Sequence, residues 1–175
     1  VKGAPAGRTW LEFDGVGDRV DCGTAAPLTT LGADSFSVSF VMKASTIITD
    51  YPRIFSKYQG ADDAFSLYYN NVSGNVFNFR EEVGGNATGE NFTGFDPYDG
   101  VDHSVVFVWD KVLDLAMLYA DGVFVDSINI GISTWDSDIS NTGAFSWGAF
   151  NQGSAPYQGN LGQCRIYDGV LTADD

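Results

Sequence analysis

Alternation of apolar and polar residues with a period of two, in short runs along nearly the whole chain, constrains the fold more than any other feature. Ser35-Phe36-Ser37-Val38-Ser39-Phe40-Val41-Met42-Lys43 sets Phe36, Val38, Phe40 and Met42 on one face and serines on the other, broken only by Val41. That is the pattern of a half-buried strand. Comparable runs follow turn residues at 9–13, 19–22, 53–58, 64–70, 75–81, 103–109, 112–120, 123–130, 144–150 and 161–167. Many short strands, with no stretch of helical period, predict an antiparallel sandwich or barrel. Within Ser104-Val105-Val106-Phe107-Val108-Trp109, residues 105–109 are apolar at successive positions, as expected of a central strand covered on both faces. Asp121-Gly122, between Leu118-Tyr119-Ala120 and Val123-Phe124-Val125, supplies the two positive φ angles of a type I′ hairpin. The stretch from Gly84 to Asp102, rich in Gly, Asn and Asp, reads as a long surface loop or an irregular edge. No repeat or composition break divides the chain, so residues 1–175 are read as one domain.

The charge balance narrows the partners. Nine Lys and Arg face 23 Asp and Glu, a formal charge of −14, and no basic residue occurs between Lys111 and Arg165. No patch is therefore available to neutralise a nucleic-acid backbone or an anionic membrane. No apolar run reaches the roughly 18 residues of a membrane span, and no membrane insertion is expected. There is no charged-then-apolar leader and the chain starts at Val1 in place of Met, so a processed product or an excised segment is expected. One histidine, His103, and two cysteines, Cys22 and Cys164, exclude a zinc site built on several His and Cys. All acidic residues except Glu12, Glu81, Glu82 and Glu90 are Asp, a residue suited to turns and to oxygen-ligand metal sites. Glu81 and Glu82 are adjacent, so strand alternation sends them to opposite faces and they cannot serve one glycosidic bond. No catalytic residue is assigned.

Several segments carry a resemblance in order. Leu11-Glu12-Phe13-Asp14-Gly15, Asp18-Arg19-Val20-Asp21-Cys22-Gly23, the 36–42 strand, Ile54-Phe55-Ser56-Lys57, the run from His103 to Asp110, Leu118-Tyr119-Ala120-Asp121-Gly122-Val123, and the run from Gly159 to Asp168 resemble the landmarks of the laminin G-like/pentraxin branch of concanavalin A-like jelly rolls. The resemblance covers nearly the whole chain and implies an all-β fold, an antiparallel β-sandwich of the jelly-roll type with its first and last strands side by side. Under that arrangement Cys22 and Cys164 fall on neighbouring strands and point inward, as a disulfide or as two buried thiols.

The resemblance also implies Ca2+, with Asp62 and Asp63 after one strand and Asn151 and Gln152 in a later loop as the metal set. Asp14 with Asp18, and Asp136 with Asp138, are alternative clusters. Aromatic residues in loops beside Asp, Asn and Gln suit sugar rings, and Trp135, Tyr157, Phe150, Asn151, Gln152 and Tyr98 are the expected ligand contacts. Together these features predict a non-catalytic recognition module, extracellular or surface-displayed, binding a carbohydrate or glycoprotein through rim loops with calcium. The alternative is a structural interaction domain, such as a virion-surface decoration or adhesion piece, docking on a protein scaffold.

Overall fold

The alternation is realised as paired strands. The computed structural model describes residues 10–44, 50–60, 63–72, 74–83, 86–130, 139–149 and 154–172. In chain order the strands are β1 (Trp10–Asp14), β2 (Val20–Asp21), β3 (Phe36–Lys43), β4 (Arg53–Gly60), β5 (Asp63–Asn70) and β6 (Val76–Val83). They continue as β7 (Asn86–Phe92), β8 (His103–Asp110), β9 (Leu115–Ala120), β10 (Val123–Asn129), β11 (Ala144–Trp147) and β12 (Gln158–Asp168). One six-stranded sheet, here sheet A, has the order β1-β12-β3-β8-β9-β10; the other, sheet B, has the order β2-β11-β4-β5-β6-β7. All neighbouring strands pair antiparallel. The result is a two-layer antiparallel β-sandwich, and β1 does lie beside β12. Among the described residues no helix is long and apolar enough to cross a membrane.

The core forms where the inward positions of both sheets meet. Phe36, Val38, Phe40 and Met42 all join it, as their spacing requires. Its centre is Phe107 of β8, fully buried, with ring centroids of Phe36, Phe55, Phe79 and Phe92 at 6.0, 5.7, 4.6 and 6.2 Å. Those rings come from β3 and from β4, β6 and β7, so Phe107 joins the layers. Strand β8 lies between β3 and β9, the central place that its unbroken apolar run predicts. Asp121 and Gly122 have φ of 53° and 78°, and Val123 pairs with Ala120 to close the type I′ hairpin.

One open alternative is decided and one expectation needs correction. Of the two readings of the stretch from Gly84 to Asp102, the edge holds for residues 86–92, which pair with β6 at the margin of sheet B. Its mostly polar side chains give little alternation to read; backbone pairing with β6 and the single buried anchor Phe92 hold it. Cys22 and Cys164 are not on neighbouring strands of one sheet, since β2 belongs to sheet B and β12 to sheet A, and both thiols are free.

The sandwich is tied at the end of β7 by two polar clasps. Thr93 donates its N–H and its hydroxyl to Asp126 Oδ2, both at 2.8 Å, joining the chain after β7 to the bulge in β10. His103, at the start of β8, sits under the edge-on ring of Phe95 with Nδ1 2.7 Å from Asp121 Oδ2 and Nε2 3.1 Å from Asp99 Oδ1. Ionised carboxylates only accept, so both ring nitrogens donate and the imidazolium is the form that fits. Burial alone would lower the His103 pKa; the hydrogen bonds and charges of Asp121 and Asp99 outweigh it and raise it above 6.5. Asp121, against the opposing effect of burial, and Asp99, chiefly through the Val101 N–H, are held below 3.8.

The His103 contribution to stability is therefore full below pH 6.5 and is lost as pH rises through the raised folded-state value. The share of the two carboxylates is present above pH 3.8 and is lost as pH falls through their lowered values. Melting curves from about pH 5 to about pH 9 are expected to show Tm falling on the alkaline side, with His103→Gln flattening that slope. An unchanged alkaline slope in the variant would show that the clasp is not its source.

Candidate functional site

Strand parity assigns Ser56 of β4, Ser66, Tyr68 and Asn70 of β5, and Asn78, Arg80 and Glu82 of β6 to the outer face of sheet B, opposite Phe55, Leu67, Phe79 and other core positions. Arg53 joins them across a β-bulge, pairing with Tyr68, which pairs with Asn78, which pairs with Asn91 of β7. An outward polar face is ordinarily wet. Here Arg53, Ser56, Ser66, Tyr68, Asn70 and Asn78 are all buried. The chain after β11 explains part of this. Ala149 O accepts from Ser56 Oγ at 3.0 Å and from Ser146 Oγ at 3.2 Å, and Ala155 O accepts from the Arg53 N–H at 3.0 Å. Ala149 and Ala155 lie against this face and help to bury it as a polar floor.

Cations and amides converge on this floor. The Arg53 guanidinium lies 4.1 Å from the centre of the Tyr68 ring and donates to Tyr51 O at 2.9 Å; the Tyr51 ring meets Tyr68 edge-on at 5.7 Å. Burial pushes the Arg53 pKa down from 12.5 to about 10, with Tyr68 opposing and the nearby charge of Arg80 adding to the fall. Arg53 stays protonated at neutral pH, yet its charge is poorly solvated and faces a like charge. Arg80 pairs with Glu82 at 3.2 Å and is 39% exposed, so it is the accessible cation of the two. Beside them the Val72 N–H donates to Asn70 Oδ1, which turns Asn70 Nδ2 to Asn91 Oδ1 at 3.2 Å; Asn78 Nδ2 donates to the same oxygen at 2.9 Å. Gly89 on β7 leaves this row without a side chain, where an added Cβ would stand 3.0 Å from Asn78 Oδ1. Buried, mutually constrained amides and guanidiniums form a preorganised donor surface.

The residues expected from sequence fall differently. Trp135, Phe150, Asn151, Gln152 and Asp62 lie outside the described residues. Tyr157 is a correction: it is fully buried, edge-on to Phe13 at 5.8 Å, and its hydroxyl donates to Lys43 O at 3.2 Å, so it fills the interior and touches no ligand. Tyr98 is half-buried and packs on Tyr69 at 4.1 Å between centroids, closing an end of the sandwich. Asp14 and Asp18 are turn aspartates, accepting from the N–H groups of Val16 and Asp14. Glu81 is buried and Glu82 lies on the outer face, as alternation requires.

For calcium, the described residues hold no group of three or more His, Cys, Asp or Glu placed for a metal. Asp63 opens β5 opposite Gly60, whereas the later loop is anchored at Ser56 and Arg53, about 13 Å or more away along β4. Asp62, Asn151 and Gln152 lie outside the described residues, so of the expected metal set only the backbone of Asp63 is placed.

Sequence reading missed Arg53, Tyr68, Asn78 and Arg80, because it looked for ligand contacts in loops. Their signal was the polar parity of 66–70 and 78–82. A second concavity, about 540 Å³ on the outer face of sheet A between Tyr119 and Tyr167 over Ser39 and Val106, offers no buried cation.

Comparison with known proteins supplies the frame. The family model described as the concanavalin A-like lectin/glucanases superfamily matches residues 14–175. No curated protein matches. Among solved structures the chain is similar to the CBM40 module of the Ruminococcus gnavus IT-sialidase, with TM-score 0.72 and 18% identity over 94% of this chain and 92% of that one. The same module bound to α2,6 sialyllactose gives TM-score 0.70 and 19% identity over 94% and 93%. Domains LG4-5 of the mouse laminin α1 chain give TM-score 0.66 and 14% identity over 99% of this chain and 45% of that one. At these identities the likeness shows the fold.

Proposed function

Because the chain belongs to the concanavalin A-like lectin/glucanases superfamily, whose fold hosts both binding and hydrolysis, we propose that it is a non-catalytic module binding carboxylate-bearing glycans on the outer face of sheet B. The observation that carries this reading is the proximity of Arg53 and Arg80 on a largely buried polar floor in a chain of net charge −14. Two guanidiniums held near each other repel, and burial raises the cost; an anion between them relieves both. A carboxylate fits best, since the guanidinium fork bonds it bidentately. Tyr51, 37% exposed at the margin, offers a ring face to a sugar, and Asn70, Asn78 and Asn91 fix hydroxyl orientation.

The overall negative charge gives no long-range steering toward such a ligand, so recognition rests on contact at the floor. The solved CBM40 module bound to sialyllactose, a carboxylate-bearing glycan, supports this choice of ligand class. Hydrolysis has no support from Glu81 and Glu82, which face opposite ways. An extracellular or surface-displayed setting, where such glycans occur, is part of the proposal.

Titration calorimetry with α2,3- and α2,6-sialyllactose against lactose tests it. Charged hydrogen bonds of about 1.5–3 kcal/mol predict at least roughly tenfold tighter binding of the sialylated sugars. Equal affinity for all three, or none for any, would reject the carboxylate reading.

A further inference from the structure

The outer face of sheet A carries a groove that the cationic floor of sheet B does not use. Ser39 of β3, Val106 of β8 and Tyr119 of β9 oppose one another across three strands, turned away from the core side chains Val38, Phe107 and Leu118. Tyr167 of β12, opposite Ser37, bounds the other side. Because β12, β3, β8 and β9 are adjacent, the two tyrosines stand three strand spacings apart, about 14 Å, with Ser39 and Val106 between them. The cavity is about 540 Å³, within the range of about 300–1,000 Å³ usual for small-ligand sites.

The walls are fixed before any ligand arrives. Tyr119 meets the Phe124 ring edge-on, with centroids 5.5 Å apart. The Tyr167 hydroxyl accepts from Ser39 Oγ at 3.4 Å and from Arg165, contacts that hold its pKa below 10.0. The third wall is the chain after β12, which turns back over the sheet. There the Gly169 N–H donates to Ser35 O at 3.0 Å, Ser37 Oγ to Gly169 O at 2.8 Å, and the Leu171 N–H to Ser37 Oγ at 2.9 Å. Ser37 and the opposing Val108, outward by parity, are fully buried, and Leu171 and Thr172 complete the lining. At the hairpin end Gly122 adds no side chain and nothing lies within 4 Å of where a Cβ would stand, so the groove is open there.

We propose that this groove is a second ligand site, one that takes a neutral glycan, so that the protein binds sugars on both of its outer faces. None of the lining residues carries a carboxylate, an ammonium or a guanidinium, so a charged ligand entering the groove would lose water without gaining a partner. The lining is mixed in character. Tyr119 and Tyr167 offer flat rings, Val106 and Leu171 offer apolar surface, and Ser39 and Thr172 offer hydroxyls. A neutral pyranose has the same mixture, an apolar C–H face and a rim of hydroxyl groups, and its face stacks on an aromatic ring. A purely apolar guest would take water from the hydroxyls of the lining without replacing it. A second copy of the protein would set a charge of −14 against its like. The groove and the sheet B floor lie on opposite faces and differ in ligand charge, so either can fail without the other.

Cellotetraose, maltotetraose and lacto-N-neotetraose, all uncharged, are titrated separately into isotope-labelled protein and followed by backbone amide shifts. At least one is expected to bind, moving the amides of Ser39, Val106, Tyr119 and Tyr167 while those of Tyr68 and Asn78 stay in place. Tyr119→Ala and Tyr167→Ala should each weaken that binding about three- to tenfold, as loss of one stacking ring requires. No shift with any of the three at millimolar concentration, shifts confined to the sheet B floor, or undiminished binding in both tyrosine variants would each overturn the proposal. Shifts at the groove amides that grow with protein concentration in the absence of sugar would give this face to a second copy and overturn it as well. The titration is read on the unaltered protein, so a variant that fails to fold leaves the test intact.

Discussion

Phe107→Ala is expected to lower the free energy of unfolding by about 3–5 kcal/mol, the largest stability effect of any single substitution considered for this chain. Phe107 is fully buried and its ring is touched by Phe36, Phe55, Phe79 and Phe92. Truncation removes the transfer energy of a phenyl group and leaves a cavity between two sheets whose backbones are fixed by hydrogen bonding, so the site collapses poorly. Each lost ring pair adds about 0.5–1.5 kcal/mol, but the four share one ring and do not sum. Against a typical domain stability of about 5–15 kcal/mol, this unfolds a measurable fraction of the chain. Urea denaturation followed by circular dichroism reads the effect. Phe124, 52% exposed on β10, is the control, and Phe124→Ala should shift stability by about 0.5 kcal/mol or less. Comparable losses at the two positions would mean that Phe107 is not the joint between the layers.

The second large effect concerns binding. Arg80→Gln is expected to weaken sialyllactose binding about 10- to 100-fold, while changing stability by less than about 1 kcal/mol. The asymmetry follows from exposure: Arg80 and Glu82 form a partly solvated pair, which contributes little to folding. In the complex the same guanidinium is covered by ligand and its charge counts for more. The substitution also leaves the Glu82 charge uncompensated beside an incoming carboxylate, so Arg80→Gln with Glu82→Gln should recover part of the loss. Calorimetry on both variants, with a urea melt to confirm the fold, separates these contributions. Wild-type affinity in Arg80→Gln would remove Arg80 from the site.

The legible features were local ones. The 36–42 strand, the unbroken apolar run of β8 and the Asp121-Gly122 hairpin each follow from a few adjacent residues, whose period or φ preference specifies the backbone. Strand β7 was hard to see because the edge strand NATGENF pairs with β6 while only its last residue, Phe92, is a large apolar residue buried in the core. Tyr157 was misread for a related reason: an aromatic in an irregular segment looks free in sequence, and only the packing of Phe13 and the bond to Lys43 O show that it fills the interior. The parity of Tyr68, Asn78 and Arg80 was visible, but its meaning depended on Ala149 and Ala155 reaching Ser56 and Arg53, contacts made across more than 90 residues of sequence. Cys22 and Cys164 were expected on neighbouring strands, but β2 and β12 belong to different sheets, because β2 changes sheet after a turn that carries no distinguishing signal.

The antiparallel pairing of β1 with β12 has a mechanical side. Trp10 lies opposite Gly162 and Asp14 opposite Gln158, so the chain enters β1 and leaves β12 toward the same end of sheet A. Tension between the two flanks then runs across the base of the sandwich and loads the rungs of this ladder one at a time, beginning at Trp10–Gly162. A domain held in this way yields by peeling at small force while the other described strands stay unloaded. It behaves as a pendant on a tether and not as a link in a chain, and a ligand on the outer face of sheet B is spared the strain.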